Sequence, residues 1–155
     1  MSLKLTSVAI IILIVAYLAG LSFATRQAQL KPENERHLSA CPEKPNCVFS
    51  QSTREMHAIP ALSLIEDNSA LSWEKLIVAI QQAGGEVLVD DGRYCHAVFT
   101  SSLFRFKDDF EAELNNSWID VRSASRAGTS DLGKNRKRVE KIRRLYNSLA
   151  LTNDI

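Results

Sequence analysis

From Leu5 to Phe23 the chain carries no charged residue, it stays uncharged as far as Thr25, and residues 10–15 are unbroken aliphatic. Lys4 precedes this run and Arg26 follows it. At about 1.5 Å of rise per residue, a helix of this length matches a bilayer core about 30 Å thick. A segment apolar on every side has no single face to bury against a soluble core. We therefore read residues 1–25 as a membrane anchor, inserted through Leu5 to Phe23. The competing reading is a signal peptide with residues 1–4 as its basic region and Ser22-Phe23-Ala24 at the cleavage site, leaving a secreted or periplasmic domain. The run exceeds the h-region of about 7–15 residues typical of such signals, which favours the anchor. Flanking positive charges nearly balance, so they do not orient it.

The cysteines supply the side of the membrane. Cys41 and Cys47 bracket the short stiff stretch P-E-K-P-N. So close a pair, in a chain with an export signal, predicts a disulfide and an extracytoplasmic domain. Half of a metal site is the alternative, but no second Cys or His pair stands at suitable spacing, so no metal is expected. Cys95, among apolar residues, reads as a buried thiol.

At 155 residues the chain has room for one domain and an appendage. Residues 26–40 are polar, with Pro32 and the cluster Glu33-Asn34-Glu35-Arg36, and read as a juxtamembrane linker with His37 solvated. Residues 41–150 form the globular domain and 151–155 a tail. A formal net charge of +1 argues against a general nucleic-acid binder.

Within the domain, His57 lies in the extended stretch H-A-I-P-A-L, a hydrogen-bonded structural group by default. Ser72 is placed to cap a helix whose Trp73, Leu76, Ile77 and Ile80 share one face, and Gly84-Gly85 ends it. Residues 86–90 and 94–101 read as strands joined through Asp91-Gly92. Residues 108–114 and 117–123 form a second hairpin around Asn115-Asn116. A two-residue turn would set Leu114 opposite Ser117, Ala112 opposite Ile119 and Phe110 opposite Val121. It would also set Asp109 opposite Arg122 as an ion pair, and Glu111 opposite Asp120, a repulsion needing compensation. A final helix over residues 135–149 buries Val139, Ile142, Leu145, Tyr146 and Leu149, with Glu140 spaced for Arg144. The order predicts an α+β fold: an antiparallel four-stranded sheet with helices packed mainly on one face, preceded by a single N-terminal transmembrane helix.

Two constellations could carry chemistry. Between Arg122 and Arg138 runs R-S-A-S-R-A-G-T-S-D-L-G-K-N-R-K-R, rich in capping residues, glycine and positive charge. Ser125, Arg126, Gly128, Ser130, Gly133, Asn135 and Arg136 are the candidate anion-binding residues, with backbone N–H groups and the helix dipole pointing the same way. A well-capped strand-to-helix connection is the plainer reading of the same residues. The second constellation is a hydrolase set: Ser123 or Ser125 as nucleophile, His96 as base, Asp109, Glu111 or Asp120 as acid or orienter, and Arg126 stabilising negative charge. It requires those groups to converge. No cofactor motif is present.

C-P-E-K-P-N-C-V, H-A-V-F-T-S-S-L-F-R-F-K-D-D-F-E and I-D-V-R-S-A-S-R-A-G-T-S-D-L-G-K-N-R-K-R-V-E together resemble the family known as domain of unknown function 1499. The resemblance covers about Cys41 to Tyr146. It implies an exported or membrane-attached protein and brings no reaction, substrate or cofactor with it. The expected function is a membrane-anchored extracytoplasmic binding or scaffolding module, its partner an anionic ligand, lipid headgroup or envelope protein. A small hydrolase is the alternative.

Overall fold

The computed structural model describes residues 2–25 and 30–151. Met1, the start of the expected linker at 26–29 and the tail at 152–155 lie outside the described residues.

An apolar helix α1 (Ser2–Ala24) comes first, and its stretch Thr6–Phe23 has the length and mean hydropathy of a membrane span or a signal sequence. The strands are β1 (Cys47–Phe49), β2 (Leu62–Ser63), β3 (Glu86–Asp90), β4 (Tyr94–Thr100), β5 (Lys107–Leu114) and β6 (Trp118–Ser125). Helix α2 (Ser69–Ala83) lies between β2 and β3, and α3 (Lys134–Leu151) follows β6. The named strands form one open antiparallel sheet in the order β1-β6-β5-β4-β3, with β2 also paired to β6.

The sheet therefore has six strands rather than the expected four. The added two are short, and both lie along the edge of β6 that β5 leaves open: β1 against Arg122 to Ala124, β2 against Trp118 and Ile119. Segments of two and three residues show no period-two pattern of their own; the unpaired edge makes them strands.

The helix cap also differs. Asn68 rather than Ser72 caps α2, its side chain accepting from the Leu71 N–H at 3.0 Å. Ser72 is buried one turn further in, donating to the Asn68 carbonyl at 2.6 Å and accepting from the Ile65 N–H at 2.8 Å. Gly84 closes the helix in the left-handed region, where a side chain would be strained.

The second hairpin turns through more than two residues. The Asn115 N–H donates to the Trp118 carbonyl at 2.9 Å, and the register becomes Leu114 opposite Ile119, Ala112 opposite Val121 and Phe110 opposite Ser123. A shift of two residues keeps every side chain on its expected face but changes its partner. Asp109 faces Ala124, not Arg122, and Glu111 faces Arg122, not Asp120. The anticipated repulsion at Glu111 thereby becomes an ion pair.

One face of the sheet carries Cys95, Ala97, Phe110, Ala112, Ile119 and Val121, packed under Trp73, Leu76 and Ile80 of α2 and Val139, Ile142 and Tyr146 of α3. Cys95 is a buried free thiol, as expected, and Cys41–Cys47 is a disulfide. On α3, Glu140 pairs with Arg143 at 3.4 Å rather than with Arg144. Alternation sends Tyr94, His96, Asp109, Glu111, Glu113 and Arg122 to the other face. There, residues from the 30–46 segment reach the sheet and the turn after β3 by two ion pairs and one histidine–carboxylate hydrogen bond. Lys31 meets Glu111 at 2.7 Å, Arg36 meets Asp91 at 3.1 Å and His37 meets Glu113 at 2.9 Å.

Candidate functional site

Asp109 stands at the junction of α1, the sheet and the basic loop. Its Oδ1 accepts from His96 Nε2 at 2.6 Å and from Arg126 Nη2 at 2.6 Å, and its Oδ2 accepts from Arg126 Nε at 2.9 Å. The guanidinium thus grips the carboxylate with two parallel bonds, the strong form of such a contact. Burial pushes the Asp109 carboxyl up, but the His96 hydrogen bond and Arg126 outweigh it and hold the pKa at about 2. The third arm of Arg126, Nη1, donates to the Thr25 carbonyl at 2.9 Å. Thr25 also accepts, through Oγ1, from the Lys107 N–H at 3.3 Å. The end of α1 is thereby seated on the domain. Leu18, Leu21, Ser22 and Thr25 are its shielded positions, spaced along one helical face, while most of its other described side chains are exposed.

Next to this cluster Glu111 accepts from Lys31, from Arg122 Nη1 and from the Tyr94 hydroxyl, each at 2.7 Å. Burial raises the Glu111 carboxyl, and Lys31, Tyr94 and Arg122 together bring it below the usual carboxylate range. Tyr94 is pushed up by burial and by the bond to Glu111. Asp120 lies apart, held by neutral donors: Ser50 Oγ at 2.6 Å, Gln51 Nε2 at 2.8 Å, Trp118 Nε1 at 3.1 Å, and Asn115.

Of the hydrolase set, His96 and Asp109 meet, but the serines do not join them. Ser123 and Ser125 pair with Phe110 and Asp108, on the side of the sheet that faces the helices. Ser123 is fully buried, its hydroxyl on Asn135 Oδ1 at 2.7 Å and on the Asp109 carbonyl at 3.1 Å. The sheet itself separates nucleophile from base.

The loop–helix junction is heavily cross-braced. Asn135 is fully buried and ties Ser123, Ser125 and the Asn46 carbonyl together. Asn46 in turn donates to the Gly128 carbonyl at 2.9 Å, linking the disulfide loop to the basic loop. At the start of α3 the Asp131 carboxylate accepts from the N–H groups of Gly133 at 3.0 Å and Asn135 at 2.6 Å, so the helix terminus already holds an anion of its own. Arg126 is engaged with Asp109, and Arg136 reaches the Met56 carbonyl at 3.2 Å. Those two arginines do not close on a common point. Ser130 accepts from the Leu132 N–H at 3.3 Å.

Ser125, Gly128 and Ser130 do share a concavity of about 690 Å³. Its apolar lining comes from Leu18 and Leu21 of α1 and from Phe99, Phe104 and Phe106. Five basic side chains line it against two acidic ones, Asp108 and Asp131, so it is net positive. Arg138 is paired with Asp108 and stacks over the Phe99 ring at 4.8 Å, and Lys141 donates to the Ala83 carbonyl at 3.0 Å. Lys134 and Lys137 have no acidic partner among the described residues. They lie one turn apart on α3.

Sequence reasoning missed the α1 contribution to this concavity. Ser22 and Thr25, polar groups spaced three apart at the end of the uncharged run, were the available signal. It also missed Tyr94 and Lys31, whose role depends on a segment folding back across the sheet.

A family model described as "Protein of unknown function (DUF1499)" matches residues 37–145, a span that takes in the sheet and most of α3 but not α1. No curated protein matches the chain.

Proposed function

The chain belongs to the DUF1499 family through residues 37–145, and we propose that this member is a membrane-anchored extracytoplasmic module that binds an anionic ligand at its basic loop–helix junction. The observation that carries the reading is the pair Lys134 and Lys137, cations without acidic partners on a net-positive concavity at the end of an apolar helix. The other basic groups around Asp109 and Glu111 are neutralised in place, so they add rigidity and no field for a ligand. As an anchor, the apolar helix would hold the junction near a membrane surface, and the Cys41–Cys47 disulfide favours the oxidising side. Ser125, Gly128 and Ser130 of the expected anion set contribute to the wall, and the lysines take the part first given to Arg126 and Arg136.

The test uses the full chain in nanodiscs of zwitterionic lipid, titrated calorimetrically with glycerol phosphate and inorganic phosphate. Binding should saturate and weaken with added salt. Lys134→Gln with Lys137→Gln should weaken it by roughly tenfold, the sum expected of two exposed charge contacts. Absence of binding below millimolar concentration, or equal affinity in the double variant, overturns the reading.

A further inference from the structure

We propose that the concavity between α1, the 101–106 turn and the 127–132 loop is a lipid site, taking one anionic amphiphile from the membrane in which α1 sits. This rests on the anion-binding reading above and names the class of ligand. Its headgroup would meet Lys134 and Lys137, and its apolar part Leu18, Leu21, Phe104 and Phe106.

The lining argues for both halves of such a molecule. A small hydrophilic anion gains from the lysines but nothing from leucine and phenylalanine walls, which withdraw water from it at a cost. A wholly apolar ligand would leave Lys134 and Lys137, among the lining cations, without a counter-charge. The volume of about 690 Å³ falls within the ~300–1,000 Å³ usual for clefts that enclose organic ligands. An inorganic phosphate would fill a small part of it.

The surroundings give the ligand a route. Outside α1, Leu132 and Leu103 are the most exposed large apolar side chains described, at 82% and 79%. Leu132 lines the concavity, and Leu103 stands between its lining residues Ser102 and Phe104. Two bare leucines on loops that flank the end of an apolar helix suit the headgroup–acyl boundary, where they are shielded from water. Leu132 moreover holds a left-handed backbone, φ 54°, a conformation strained for a large side chain. With both loops in that boundary, the cleft opens onto lipid rather than bulk solvent.

The experiment is native mass spectrometry of the full chain released from nanodiscs of phosphatidylcholine containing a minority of phosphatidylglycerol. One phosphatidylglycerol should survive release as a discrete adduct, enriched roughly tenfold over its share of the bilayer. Lys134→Gln with Lys137→Gln should bring the enrichment close to parity. Leu21→Trp, which fills the apolar end, should remove the adduct. A thermal melt of each variant confirms that it folds, and a variant that does not is replaced by Phe104→Ala, which opens the same wall and should lower retention. No discrete adduct, or an adduct indifferent to the lysines and to the apolar-wall variants, overturns the lipid proposal. If glycerol phosphate still binds in that case, the anion-binding reading stands alone; if neither binds, both fall.

Discussion

Replacing Asp109 by Asn should flatten the acid limb of the stability curve by a predictable amount. The change keeps the shape of the side chain but removes its charge, and puts an amide N–H or a neutral oxygen where the Arg126 fork needs a carboxylate. The Asp109 side chain is about one-fifth exposed and that of Arg126 about one-tenth, so solvent screens the pair only partly. With the carboxyl held at about 2 against an ordinary 3.8, the charged form is favoured in the folded state by about 2 kcal/mol. The sign follows from the depression. The stabilisation is complete above pH ~4, where the unfolded chain has also ionised, and is lost as pH falls through ~2. Removing one partner of a buried pair costs about 3–5 kcal/mol in other proteins, so the variant should be weakened at neutral pH by about that much or somewhat less. The difference between wild type and Asp109→Asn should then shrink by about 2 kcal/mol on going from pH ~5 to pH ~2. Glu111, also depressed, contributes to the limb in both proteins and cancels in the comparison. Urea unfolding of the full chain in non-ionic micelles, followed by the emission of the buried Trp73, provides the measurement. A difference that stays constant over that range would mean that the Arg126–Asp109–His96 cluster does not hold the proton equilibrium as its geometry requires.

Two further outcomes can be checked. A double-mutant cycle of Glu111→Gln with Arg122→Gln should show coupling of about 1–3 kcal/mol, clearly more than Asp109→Asn with Arg122→Gln; the reverse ranking would restore the two-residue turn. Gly85→Ala should lower stability by about 1–3 kcal/mol, read as a fall in Tm, because its Cβ would stand 2.7 Å from Ile80 Cγ2 and 2.7 Å from Phe99 Cζ; an unchanged Tm would mean that the Phe99 ring yields freely.

The faces of the sheet were legible and the partners were not. Alternation along residues 108–114 and 117–123 assigns each side chain to the helix side or the polar side, and a slip of two residues leaves that assignment intact. The pairing depends instead on loop length, set here by Asn115, Trp118 and Asp120 bonding among themselves. Nothing in the Asn115-Asn116 signature distinguishes that arrangement from a tight two-residue turn. Helix α2 was legible for its stripe and misjudged at its start, because Asn68 and Ser72 are both competent caps and only the burial of Ser72 decides between them.

The candidate site was harder to see for a reason that lies in the charges. The acidic strand β5 is neutralised almost group by group by basic residues of β6, the loop after it, α3 and the 30–46 segment: Asp108 with Arg138, Asp109 with Arg126, Glu111 with Arg122 and Lys31. A count along the chain weighs all of these arginines alike and so points to the most arginine-rich stretch. What remains for a ligand is the residue of that cancellation, and it falls on lysines of the first turn of α3 rather than on the loop arginines. The apolar half of the concavity is invisible to any local reading, since Leu18 and Leu21 are remote in sequence from Phe104, and the contacts of Thr25 with Arg126 and Lys107 bring them together. That contact makes the Asp109 cluster more than a brace within the sheet. By fixing Arg126 it fixes the seat of α1, and with it the wall against which an amphiphile would lie. The same Asp109→Asn substitution that alters the acid limb should therefore also loosen lipid retention, although Asp109 does not itself line the concavity.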